Sequence, residues 1–68
     1  MARKPRLYKT RDVARRLERE GWQARPGKGD HRNYRHPEKP GLVTLDMGVN
    51  EIPIGTLRSI YRIAGGKW

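Results

Sequence analysis

The apolar residues of this chain change period twice, and that change limits the folds open to it. Near the start, Val13, Ala14 and Leu17 recur at i, i+1 and i+4, a narrow helical stripe. In the middle, Val43, Leu45 and Met47 alternate with Leu42, Thr44 and Asp46, the period of a strand with one covered face. Toward the end, Leu57, Ile60, Tyr61 and Ala64 return to helical spacing at i, i+3, i+4 and i+7. Boundary residues agree with these assignments. Thr10 predicts an N-cap, with Asp12 in the first turn where a carboxylate suits the helix dipole, and Gly21 predicts the stop. Gly48, Asn50 and Pro53 mark a loop before a second helix over 56–64, which Gly65 and Gly66 end. Strands are predicted at 22–25, 30–36 and 42–47. Helix, three strands and helix define an α+β fold: a three-stranded antiparallel sheet with two helices on one face, in the order α-β-β-β-α.

The most telling segment is Gly27-Lys28-Gly29-Asp30-His31-Arg32-Asn33-Tyr34-Arg35-His36-Pro37. Gly27 and Gly29 predict a tight reversal, and Pro37 closes the strand that follows because it cannot donate to a ladder. Side chains alternate across a strand, so His31, Asn33 and Arg35 share one face while Arg32, Tyr34 and His36 take the other. Parity across the sheet puts Trp22, Ala24, Tyr34, Val43, Leu45 and Met47 against the helices. It leaves Gln23, Arg25, His31, Asn33, Arg35 and Thr44 on an open, polar and basic face. By the same parity Trp22 and Tyr34 are core residues rather than base-stacking platforms. Gly27 and Gly29 open no helix and lack Walker spacing, so they make a hairpin turn and not a phosphate cradle.

Sixteen Lys and Arg stand against seven Asp and Glu, a net charge of +9 over 68 residues. Such a balance is the electrostatic footprint of a nucleic-acid binder, and the excess of arginine favours bidentate contact with phosphate. Arg25, Lys28, Arg32 and Arg35 surround the His31 strand, and together with Asn33 they are the candidate RNA and phosphate contacts. The arginines of the first helix fit either a solvated face or a stripe tracking a backbone. The chain has no cysteine, which excludes disulfides and thiolate metal sites. His31 and His36 point to opposite faces with no carboxylate cluster beside them, so neither metal nor cofactor is expected. No apolar run approaches the roughly 20 residues of a membrane span, and no signal-peptide core is present, so a cytoplasmic location is expected. Residues 1–9 read as a basic arm and residues 10–68 as a single domain.

The order of these pieces resembles the HicA-type toxins, small mRNA interferases of bacterial toxin–antitoxin pairs. The resemblance runs from about Thr10 to Gly65. It is carried by the Arg-rich first helix ending in Glu20-Gly21-Trp22, by Lys28-Gly29-Asp30-His31, by Tyr34-Arg35-His36-Pro37, and by Gly55-Thr56-Leu57-Arg58-Ser59-Ile60 running on to Ala64-Gly65. It implies a double-stranded-RNA-binding-domain-like fold and a metal-independent endoribonuclease whose single catalytic histidine maps onto His31. Lys28, Arg35 and Arg25 would then stabilise charge on the phosphate. It also implies mRNA as substrate and a HicB-like antitoxin covering the His31 face. Two positions depart from the family pattern. Asp30 stands where serine usually precedes the histidine, and Asp46-Met47-Gly48 stands where many members have a Pro-x-His segment. The competing readings are a non-catalytic RNA- or DNA-binding module of the same fold, and an interaction protein whose basic face docks an acidic partner.

Overall fold

The computed structural model describes residues 9–65. Helix α1 spans Thr10–Arg19, strands β1, β2 and β3 span Gln23–Pro26, His31–Arg35 and Val43–Asp46, and helix α2 spans Ile54–Ala64. The three strands form one antiparallel sheet in the order β1-β2-β3, with β2 in the centre. This is the α-β-β-β-α arrangement expected from the periodicity. Residues 1–8 of the predicted arm, and Gly66 and Trp68, lie outside the described residues.

Both helices cover one face. Val13, Ala14 and Leu17 of α1 and Leu57, Ile60 and Ala64 of α2 are buried against Tyr34, Val43 and Leu45 of the sheet, with Trp22 completing the core. Each large side chain in this set contributes about 1.5–3 kcal/mol by leaving water. The Tyr34 hydroxyl ties the sheet to α1: it donates to Glu18 Oε2 at 2.8 Å and accepts from Arg32 at 3.3 Å. Burial is the main cause that pushes the Tyr34 phenol above its ordinary value, and the bond donated to Glu18 adds to it.

Local backbone chemistry explains where the element ends differ from expectation. Gly21, at φ +97°, ends α1 in a paired cap: its N–H donates to Glu18 O at 3.2 Å, and the Trp22 N–H donates to Leu17 O at 2.9 Å. The Trp22 amide is spent on that cap, so β1 begins one residue later, at Gln23. Ala24 shares the helix-side parity but is exposed, because β1 is an edge strand with no buried position. At the other edge β3 ends at Asp46, although the Met47 N–H still donates to Asp30 O at 2.8 Å in the register of the His31–Asp46 pair. Met47 is only partly buried.

Two further expectations are corrected. Thr10 does not cap α1; Lys9 is the N-cap residue, and no side chain caps the helix. Lys9 instead bridges Glu51 in antiparallel fashion, the Thr10 N–H donates to Asn50 O at 2.9 Å, and the Thr10 hydroxyl donates to Val49 O. A tertiary acceptor has taken the hydroxyl that local capping would have used. Helix α2 starts at Ile54 rather than Thr56, because Pro53 has its φ set at −57° and its carbonyl accepts the first helical bond from Leu57 N–H at 2.9 Å. Gly65, at φ +118°, ends the helix as expected, and Lys39 Nζ donates to Ala64 O at 3.2 Å.

Candidate functional site

The β1–β2 turn delivers His31 to the start of the central strand. Gly29 supplies a positive φ of +57°, and His31 N–H closes the turn on Lys28 O at 2.9 Å. Gly27 works by absence of a side chain rather than by φ. A Cβ there would lie 3.1 Å from His31 O and 3.2 Å from both His31 Cβ and Asn33 Nδ2.

The register sets out the open face. His31 opposes Asp46, Asn33 opposes Thr44 and Arg25, and Arg35 opposes Gln23. Directly paired residues lie on one face, so Arg25, His31, Asn33 and Arg35 are gathered there with Thr44 and Asp46. Thr44 donates its hydroxyl to Asn33 Oδ1 at 2.8 Å, which fixes the amide. Lys28 sits in the turn that precedes His31 and is exposed. Arg32 lies on the other face. Its guanidinium bonds the Tyr34 hydroxyl and stands 3.8 Å from Glu18 Oε2, so of the five candidate phosphate contacts it alone is turned toward α1.

One functional candidate was missed by reading charge alone. Asp46 Oδ2 lies 4.0 Å from His31 Nε2, with both side chains about half exposed. The other oxygen, Oδ1, accepts from Gly48 N–H at 3.0 Å, so the carboxylate is held by backbone while it faces the ring. Gly48 is bare for a reason of space: a Cβ there would come within 2.7 Å of Asp30 Oδ2 and 3.3 Å of Asp46 Oδ1. Asp30, adjacent to His31 in sequence, turns its carboxylate toward Gly48, and the carboxylate facing the ring belongs to Asp46. The signal was available in the alternation of 43–47: if Val43 and Leu45 face the helices, Thr44 and Asp46 face out with His31.

His36 contrasts with His31. Its Nδ1 accepts from Glu38 N–H at 3.0 Å, and its Nε2 lies 3.0 Å from Glu20 O. A carbonyl can only accept, so Nε2 carries the proton and the ring is neutral in that arrangement. Its edge meets Trp22, with ring centroids 5.4 Å apart at 67°. Both nitrogens are committed, which makes His36 a structural residue. Among the described residues, no three His, Cys, Asp or Glu side chains gather as metal ligands, and no helix is long and apolar enough to cross a membrane.

A helix-backed three-stranded sheet with one bare, cationic face and a single open histidine defines the class of this protein. The family model of the HicA toxin of bacterial toxin–antitoxin pairs matches residues 10–65, and the chain belongs to that family. It is therefore the toxin side of a two-protein system, with an antitoxin as its counterpart. No protein of curated function matches the sequence.

Proposed function

We propose that this toxin is a metal-independent endoribonuclease that cuts mRNA with His31 as its one catalytic histidine. The observation that carries the reading is the setting of His31: an open sheet face, a carboxylate 4.0 Å from one ring nitrogen, Arg25 and Arg35 on the same face, and Lys28 in the turn before it. In this reading the ring takes the tautomer with its proton on Nε2, the nitrogen on the Asp46 side, and Nδ1 is the acceptor. Nδ1 takes the proton of an RNA 2′-hydroxyl, and the oxygen attacks the adjacent phosphorus. The bond to the 5′ oxygen breaks, a 2′,3′-cyclic phosphate forms, and the leaving oxygen takes a proton from solvent. The arginines and Lys28 offset charge on the pentacoordinate phosphate. The strand supplies no second imidazole on this face, so the enzyme is slow compared with two-histidine ribonucleases.

The antitoxin, in this reading, is HicB-like and lies over the same face. The chain as a whole carries +9, and an acidic partner would neutralise the cations of that face while covering His31. Incubation of pure protein with RNA, with DNA of the same sequence and with chelator tests the reaction. RNA should be cut to cyclic or 3′-phosphate ends, DNA should stay whole, and chelator should change nothing. Intact RNA under all conditions would instead assign the chain to the non-catalytic binding module.

A further inference from the structure

Along the free edge of β3, beside His31, runs a groove of about 270 Å³. We propose that it is a subsite for one unstacked nucleobase and favours bases with an exocyclic amino group. The inference deepens the ribonuclease reading and rests on it.

Three observations lead there. The groove has an apolar floor and wall from Leu45, Val49 and Ile52, while His31 stands on its rim. A base held in it would thus be part of the nucleotide whose phosphate meets the imidazole. Its volume falls just under the roughly 300–1,000 Å³ of drug-sized sites, which suits a single planar ring system and not a whole nucleotide. Its charge is the reverse of its surroundings. Among the described residues, no Lys or Arg lines it, and its anionic side chains are Asp46 and Glu51. Phosphate is repelled by such a lining, whereas an amino group is accepted.

Asp46 is already held by Gly48 and faces His31. Glu51, whose carboxylate makes no hydrogen bond or ion pair among the described residues, is left as the acceptor. Adenine, cytosine and guanine carry an exocyclic amino group, and uracil does not. Val49 is 42% exposed, a large apolar side chain at the mouth that a bound ring would cover.

The test uses an oligoribonucleotide with one 2′-O-methyl linkage, which blocks attack, and varies the base on either side of that linkage. Binding is measured directly, and methyl NMR shifts are followed at Leu45, Val49 and Ile52. An abasic site at one flank should weaken binding about tenfold, and uracil there should bind several-fold more weakly than the other three bases. Glu51→Gln should erase the uracil penalty, and Val49→Ser should weaken all bases alike. Arg35→Ala should lower affinity with the base ranking intact. Abasic and intact oligonucleotides binding equally would overturn the subsite, as would a base ranking that survives Glu51→Gln. Methyl shifts that grow with protein concentration in the absence of RNA would assign the groove to a second copy of the chain and also sink it. Because no arm requires cleavage, the two readings fail separately. Loss of base ranking with His31-dependent cutting intact removes the subsite alone. Base ranking that persists while RNA goes uncut removes the nuclease alone.

Discussion

The two histidines of the chain bracket β2, His31 opening the strand and His36 following its last residue, and they are treated in opposite ways. His36, at the end that meets Trp22 and the α1 cap, has both ring nitrogens engaged by backbone groups. His31, at the turn end, is half exposed, with a carboxylate 4.0 Å from one nitrogen. Five positions of alternation separate them, so one ring goes to the covered side and the other to the bare one. The lesson is that a titratable residue becomes available for chemistry through what the fold leaves unspent around it.

The sharpest way to break this contrast is to truncate each ring. His31→Ala should lower the RNA cleavage rate at least about 100-fold, the usual scale for a lost general base, with the melting temperature unchanged. His36→Ala should do the reverse. It removes two backbone hydrogen bonds and an aromatic contact, and should lower stability by about 1–3 kcal/mol while the folded fraction cuts normally. Equal behaviour of the two variants would end the distinction.

A smaller effect separates the two carboxylates near the active end. Asp46→Asn should slow cleavage about tenfold and move the pH profile of the rate, since it changes what the imidazole proton faces. Asp30→Asn should leave the profile in place. A larger effect from Asp30 would mean that sequence adjacency, and not register, supplies the partner of His31.

How far the sequence revealed this site depended on which force was read. Period two correctly put His31, Asn33 and Arg35 opposite Tyr34, because alternation is a property of the extended backbone itself. Charge was a poorer guide. Arg32 joined the phosphate candidates as a cation near His31, yet the same alternation sends it beneath the sheet to Glu18 and Tyr34. Thr10 failed differently: its capping chemistry is local, and the 49–51 segment that captures it is remote in sequence. The groove was not legible at all, since β3 and the 49–56 segment meet only in the folded chain.

The covered side of the sheet has its own test. Burial raises the Tyr34 phenol above its ordinary 10.0, so the folded protein holds that proton longer than the unfolded chain does. The stability this provides is complete below pH 10 and is lost as pH climbs through the raised value. Tyr61 is raised in the same direction, chiefly by burial. Tyr34→Phe should cost about 1 kcal/mol at neutral pH through its lost hydrogen bonds, and should flatten the alkaline decline. An unchanged decline in denaturant midpoints between pH 9 and 11 would show that Tyr34 does not cause it.

The smallest expected difference lies between the two arginines of β2. Arg35→Ala should reduce RNA affinity and lower the slope of log affinity against log salt by about 0.7, the value for one phosphate on a single strand. Arg32→Ala should leave that slope alone and show up as a modest loss of stability. Matching slopes would mean that both faces of the sheet meet RNA.

The central place of β2 has a consequence for how fast its backbone trades hydrogen with solvent. Its neighbours on both sides are strands, so its ladder bonds break only when β1 or β3 detaches. His31 stands at the turn end of that strand, its own N–H bonded to Lys28 O in the turn, so the slowest-exchanging amides are expected inside β2 beyond it. Amides of β2 gauge the stability of the whole unit, with or without a partner bound. On the proposed reading, in which the antitoxin lies over the His31 face, its footprint should fall on the ring resonances of His31 and on the outer amides of the two edge strands.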